Sequence, residues 1–247
     1  MAVVTGASSG IGGAIAPALG ALGWAVAVGA RRTDRLADTA AAVDAAGGEA
    51  FAHALDVADP KSVDVFVDAA EETLGSIDVV VNNAGMSVPG ALHRIRPDDL
   101  RREVATNLLG PMLVSRRAIA SMLDRGAGGD LVFISSDATR NPRPRMSTYS
   151  ATKAGVELLA RSLSMELEGT GIRSTIVRVG PTLSEFGVGW DPVLLEELME
   201  FWPRFGLQRH PGVLDADAVA RAVVFAVTAP GGTHLDTIEV QPEAPRS

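Results

Sequence analysis

A short apolar run, Ala2-Val3-Val4, leads into Thr5-Gly6-Ala7-Ser8-Ser9-Gly10-Ile11-Gly12 and then into an Ala- and Leu-rich stretch over 14–22. The order predicts strand, glycine turn, helix. Gly6, Gly10 and Gly12 allow positive φ and let a ligand or a packed strand come within contact distance of the backbone. The free N–H groups opening the helix then face whatever lies over the turn and favour an anion such as a pyrophosphate. The Gly-x3-Gly-x-Gly spacing differs from the G-x-G-x-x-G of the general dinucleotide fingerprint, and a glycine-rich surface turn is the plain alternative.

Beyond residue 22 the chain repeats the alternation. Strands are expected at 24–29, 50–55, 77–81, 131–134, 172–179 and 237–240, with helical patterns between them. Thr33-Asp34 offers a cap for a helix to about residue 46, Asp59-Pro60 opens another, and Val63, Phe66, Val67, Ala70 and Leu74 fall on one face of it. A helical region over 98–123 runs through Gly110-Pro111, which should kink or interrupt it. Further helices are expected over 147–168, from Asp191-Pro192 and from Asp215. The fold class is therefore α/β, a doubly wound parallel sheet in a single domain spanning 1–247. Ligands on such sheets sit beyond the carboxyl ends of the strands. That edge collects the glycine turn, Arg31-Arg32, Asp56, Asn83 to Gly85, Ser135-Ser136 and Gly180 onward.

Several function classes are disfavoured. With no cysteine among 247 residues there is no disulfide framework or thiolate metal site, and a cytoplasmic location is expected. The apolar region before Arg31 is broken by Pro17, Gly20 and Gly23, which argues against a signal peptide or a membrane span. A net charge of −8 argues against a nucleic-acid partner. His53, His93, His210 and His234 are scattered without ligand spacing, so no metal site is expected.

Tyr149 and Lys153, four apart at a helix start, share one face. A tyrosine titrates near ~10, and a fixed positive charge beside it favours the phenolate, bringing the group toward a range where a proton can be given and taken. Tyr149 is the only tyrosine in the chain, and Ser136, thirteen residues earlier, ends a strand at the ligand edge. Its hydroxyl could hold a substrate oxygen near the phenol.

In order along the chain stand Thr5-Gly6-Ala7-Ser8-Ser9-Gly10-Ile11-Gly12, Asp56-Val57, Asn82-Asn83-Ala84-Gly85, Thr106-Asn107, Ser135-Ser136 and Tyr149-x3-Lys153. With this ordered set the sequence resembles the short-chain dehydrogenases/reductases, in the branch of about 250 residues, over nearly its whole length. The resemblance implies a Rossmann-type fold, a nicotinamide cofactor, and Tyr149 as the acid/base that exchanges a proton with a carbonyl or hydroxyl. It further implies that Lys153 binds the nicotinamide ribose and lowers the tyrosine pKa, that Ser136 rather than Ser135 orients the substrate oxygen, and that Asn107 supports a water-mediated proton path. On the cofactor side it assigns Gly6, Ser8, Ser9, Gly10, Ile11 and Gly12, then Asp56 and Val57 at the adenine, Asn83, Ala84 and Gly85, and Gly180. Thr182 and Ser184 both remain candidates for the carboxamide contact, because the run Val179-Gly180-Pro181-Thr182 lacks the proline that often precedes the glycine. Thr139 also stands where the family often has glycine, beside Ser136.

Charge selects the cofactor form. NAD calls for an acid at the ribose 2′-hydroxyl, NADP for a cation at the 2′-phosphate. The chain has Ala30-Arg31-Arg32 there, with Asp34 read as a helix cap, so NADP is expected over NAD, with Arg31 the first contact and Arg32 the second. A lid over 183–212 carries Leu194, Leu195, Leu198 and Trp202 on one helical face, with Phe186, Trp190, Phe201 and Phe205 nearby, and suits a small to medium, largely apolar carbonyl or alcohol. Arg140, Arg143 and Arg145 read as solvated more readily than as a dock for an acidic substrate tail. Two alternatives stand beside a carbonyl/alcohol oxidoreductase: a 3-oxoacyl-carrier-protein reductase, and a non-catalytic NADP-binding regulatory or structural protein. By resemblance the protein is a homodimer or homotetramer, paired through the helices of 98–123 and 147–168.

Overall fold

In a computed structural model that describes residues 1–207 and 210–245, seven parallel strands form one sheet. In chain order the strands are β1 (Ala2–Thr5), β2 (Ala25–Ala30), β3 (Glu49–Ala54), β4 (Val79–Asn82), β5 (Gly129–Ser136), β6 (Ile172–Val179) and β7 (Thr237–Val240). The spatial order is β3-β2-β1-β4-β5-β6-β7. Strand β1 is thus flanked by β2 on one side and β4 on the other, and the crevice of a doubly wound sheet opens at that reversal. The Rossmann-type architecture expected from the sequence is the one observed.

The helices are α1 (Gly10–Gly20), α2 (Thr33–Ala45), α3 (Pro60–Leu74), α4 (Pro97–Val104), α5 (Gly110–Arg125), α6 (Ser147–Glu166), α7 (Pro192–Arg204) and α8 (Ala216–Val227). Ile15, Leu19, Leu36, Val219 and Val223 cover one face of the sheet, and Phe66, Met122, Phe133, Val156 and Ile176 fill the other. Strands β1, β2 and β4 are apolar at successive positions because both faces are covered there, as the run Val79-Val80-Val81 illustrates.

One local expectation is corrected and a second is borne out in a specific form. Asp34 lies in the first turn of α2 and does not cap it: the N-cap position is Arg32 and no side chain bonds the free N–H groups there. By contrast Asp59 and Asp191 accept from Lys61 N and Val193 N as expected of caps. The region over 98–123 is interrupted before Gly110-Pro111, because Ala105–Leu109 forms a π-helical turn between α4 and α5. Pro111 then sits in the first turn of α5, where its missing N–H costs nothing.

Candidate active site

The glycine turn follows β1 closely. Gly6 has φ +66, and a Cβ there would lie 2.8 Å from Ala84 Cα. A Cβ on Gly12 would fall 2.5 Å from Asn83 Nδ2 and 2.6 Å from Gly6 O. Both glycines are therefore required by packing between the turn and the exit of β4. Thr5 reinforces this junction: its hydroxyl accepts from Asn83 N at 3.0 Å and Ala84 N at 3.1 Å. Ser9, at the N-cap of α1, makes no side-chain cap, so the helix presents open N–H groups toward the crevice.

That crevice is a cavity of about 1120 Å³ along the carboxyl ends of the strands. Every residue expected on the cofactor side lines it except Gly12, which packs behind the turn, and Ser136, Tyr149 and Lys153 open onto the same space. Its size, the uncapped helix start and the side-chain-free approach at Gly6 fit a dinucleotide. Asp56 accepts from Ala58 N at 3.0 Å, fixing the bend after β3. Thr182 donates to Gly180 O at 2.9 Å, while Ser184 accepts from Phe186 N at 3.2 Å. Both line the cavity, so the choice between them stays open. Arg32 reaches Ser9 Oγ at 2.6 Å and Ser8 Oγ at 3.1 Å, and Arg31, exposed, lines the same end.

At the other end, Lys153 donates to Ile134 O at 2.7 Å and its Nζ lies 5.9 Å from the centroid of the Tyr149 ring. The phenol and the ammonium share one crevice, but burial dominates both. It pushes the Tyr149 hydroxyl up to about 12, against an opposing hydrogen bond with Ser136, and it draws Lys153 down to about 8. After burial and Ser136, the groups that act on the phenol are Asp137, Arg143 and Glu103; the lowering by Lys153 expected from the sequence is not among them. Ser135 is turned to other work, donating to Glu157 at 2.8 Å, whereas Ser136 Oγ accepts from Ala138 N and sits beside Asp137. Thr139 ties the loop down by donating to Ser136 O at 2.9 Å and lying 2.9 Å from Glu157 Oε1.

Asn107 lies in the π turn, fully buried and outside the cavity wall. It accepts from Met86 N at 2.8 Å and donates to Met86 O at 2.7 Å, clamping the loop that follows Gly85. One turn earlier Glu103, also fully buried, accepts from Val88 N at 3.2 Å. Burial pushes its carboxyl up, partly offset by Val88 and Ser87. Glu103 carried no signal in the sequence, since an acid within a charged helical stretch reads as solvent-facing.

All three loop arginines are paired, but only Arg143 is withdrawn from water, while Arg140 stays exposed as expected. Arg140 pairs with Glu239 at 3.0 Å and Arg145 with Glu197 at 3.1 Å, while Arg143, nearly buried, holds Asp137 at 2.6 Å beside Ser136. Arg143 also lies 5.2 Å over Trp202, so this loop is fastened to α7. Of the apolar face expected on that helix, Leu194 and Trp202 line the cavity and Leu198 is buried, but Leu195 points outward at 38% exposure. Leu198 is the one buried residue of α7, and Leu195, a turn before it, is left facing solvent. Phe186 packs on the Tyr149 ring at 5.1 Å between centroids, Trp190 meets Phe186 edge-on at 5.6 Å, and Phe205 stacks on Phe201 away from them at 60% exposure. Gln208 and Arg209, within the expected lid, lie outside the described residues.

No helix among the described residues is long and apolar enough to cross a membrane. The family model described as "short chain dehydrogenase" matches residues 1–191. Glycine betaine reductase ATRR of Emericella nidulans is 36% identical over 98% of this chain, which spans only 18% of that relative's length. The 3beta-hydroxysteroid dehydrogenase 1 of Eggerthella lenta is 37% identical over 72% of this chain and 69% of its own. Among solved structures, an alcohol dehydrogenase from Thermococcus sibiricus complexed with 5-hydroxy-NADP superposes with a TM-score of 0.84 at 30% identity, covering 100% of this chain and 97% of that one. Other solved neighbours hold NADP or NAD.

Proposed function

The chain belongs to the short-chain dehydrogenase/reductase family of oxidoreductases acting on CH–OH groups, and from that premise we propose that it interconverts a carbonyl and an alcohol using NADP(H), with Tyr149 as the acid/base. The observation that carries this reading is the meeting of Ser136, Tyr149 and Lys153 on the cavity that also receives the glycine turn. The cofactor, when bound, gives or takes the hydride; the chain supplies orientation and the proton. Ser136 holds the substrate oxygen by hydrogen bonding. Tyr149 gives its proton to that oxygen in reduction and takes it back in oxidation. Lys153, fixed on Ile134 O, brings positive charge to the ribose side of the phenol.

A phenol held near about 12 is protonated at neutral pH, the form that donates to a developing alkoxide. Reduction is therefore expected to run at neutral pH, and oxidation, which needs the phenolate, to speed up as pH rises. Initial rates in both directions across a pH series check this. An oxidation rate that falls with alkalinity while the fold persists would oppose it.

NADP is favoured over NAD by the two arginines closing β2, by the absence of an acid there, and by the reach of Arg32 onto Ser8 and Ser9. Segment 183–212 acts as the substrate cover, with Phe186 and Trp190 against the phenol, and this apolar wall favours small to medium apolar carbonyls. Phe186→Ala is expected to raise KM for aryl ketones by about tenfold, as loss of a large apolar contact does, and to affect short aliphatic aldehydes much less. Exposed Val104, Leu109, Leu158 and Met165 on the connected α4–α5 rod and on α6 support a homo-oligomer paired through those helices, which light scattering measures.

The founding experiment is NADPH and NADH oxidation with a panel of aldehydes and ketones. Turnover with NADPH is expected. Cofactor binding without turnover on any carbonyl would favour a regulatory protein.

A further inference from the structure

Helix α2 begins at the cofactor end of the cavity, and one contact there is explained neither by sheet geometry nor by substrate cover. The Glu185 carboxylate, from the segment after β6, bridges two guanidiniums that lie some 150 residues earlier in the chain. Arg32 Nη1 donates to Oε2 at 2.7 Å and Arg35 Nη1 to Oε1, while the other Nη of Arg32 rests on the hydroxyls of Ser8 and Ser9. The three side chains are between 42% and 46% exposed, so the bridge is open to water and to exchange rather than sealed in a core. Hydrogen bonds from Arg32 and then Arg35 hold the Glu185 carboxyl down to about 2, so it is an anion at any working pH. All three residues line the cavity together with Ser8, Ser9 and Arg31. Two forked guanidiniums on one anion, with the Ser8 and Ser9 hydroxyls against Arg32 beside it, are a donor set suited to a phosphate, whose greater charge and third oxygen compete well against a carboxylate.

We propose that Arg35 joins Arg32 in the subsite for the cofactor's 2′-phosphate, and that Glu185 is the resident anion of that subsite, displaced when the phosphate arrives. The inference rests on the NADP reading. It adds two residues that set cofactor discrimination, one attracting the phosphate and one competing with it. A ribose bearing only a 2′-hydroxyl has no charge with which to dislodge the carboxylate. Because Phe186 follows Glu185 and packs on Tyr149, the displacement also frees the aromatic side chain nearest the phenol. Phosphate recognition at one end of the cavity is thereby linked to access at the other.

The test is equilibrium binding of NADP+, NAD+ and adenosine 2′,5′-bisphosphate, followed by calorimetry, for the unaltered chain, Glu185→Gln and Arg35→Ala. Removing the competing charge is expected to tighten NADP+ and the bisphosphate severalfold and to leave NAD+ unchanged. Removing Arg35 is expected to weaken both phosphate-bearing ligands by about tenfold or more, the range for a hydrogen bond to a charged group, again sparing NAD+. Glu185→Ala should behave as Glu185→Gln does if charge alone is at issue. Unchanged NADP+ affinity in the Glu185 variants overturns the proposal, and so does a selective loss of NAD+ affinity, which would make Glu185 a ribose acceptor. If neither the unaltered chain nor Glu185→Gln prefers NADP+ over NAD+, the cofactor reading itself has failed, a result distinct from failure of the displacement alone.

Discussion

Tyr149→Phe is expected to lower kcat for carbonyl reduction by about 10² to 10⁴, the range contributed by a positioned acid/base, with NADPH affinity retained. The substitution removes one oxygen and leaves the ring in place against Phe186. No other tyrosine exists in the chain to substitute for it. Neighbouring titratable groups are poor stand-ins: Lys153 is committed to Ile134 O and Asp137 to Arg143. Single-turnover rates with a saturating ketone, together with calorimetric cofactor binding, separate lost chemistry from lost structure. A phenylalanine variant that turns over at the parent rate would remove the phenol from the mechanism.

The second large effect concerns stability. Arg178→Met is expected to cost about 3–5 kcal/mol, as breaking a buried ion pair from one side does. For a chain of this size that lowers Tm by about 6–20 °C at roughly 2–4 °C per kcal/mol. Arg178 is 4% exposed inside β6, with its Nη2 2.8 Å from Glu157 Oε2 and its Nη1 3.0 Å from Glu239 Oε2. Without the guanidinium, Glu157 keeps Ser135, Thr139 and the largely exposed Arg161, but no buried counter-charge. The pH dependence has a definite sign. Burial tends to raise the Glu157 carboxyl, but Arg178, Ser135 and Thr139 outweigh it and the group lies below its ordinary 4.5. A lowered folded pKa means that the stabilisation is present above 4.5 and drains away as pH falls through the lower folded value. In Arg178→Met burial loses its chief opponent, so the deficit against the parent should shrink in acid. Thermal melts of both proteins across that range measure it. Equal melting temperatures at neutral pH would mean that the network carries little stability.

The sheet was legible in the sequence because short runs rich in apolar residues alternate with helical patterns along the whole chain. Candidate cofactor residues such as Gly6, Arg31, Asn83 and Gly180 could be picked out because they stand directly after strands, whereas Tyr149 and Lys153 were picked out by their spacing at the start of α6. What escaped depends on contacts between distant segments. Asp34 looked like a cap because the pattern of Thr33-Asp34 before a helix is local, whereas Arg32 is drawn toward Ser8, Ser9 and Glu185 by side chains that the pattern does not contain. The pairings of Arg140, Arg143 and Arg145, and the burial of Arg143, escaped because their partners Glu239, Asp137 and Glu197 belong to three different elements or loops. Leu195 satisfied the helical period of α7, but only Leu198 of that helix has a core to enter. The elevated phenol was invisible as well, since spacing places Lys153 near Tyr149 without telling how much water either one loses.

The π turn at Ala105–Leu109 fits one more residue into a revolution than its neighbours do, and so sets the angular phase of everything on either side of it. Glu103 before it and Asn107 within it, four residues apart and so on one side of the rod, grip Val88 and Met86, successive holds on one loop. Deleting Ala105 or Thr106 would shorten that interval to three residues and turn the two grips apart by roughly a quarter of a revolution, given 3.6 residues per turn. The rod could still form and still pack, but it would hold the loop behind Gly85 by one hand only.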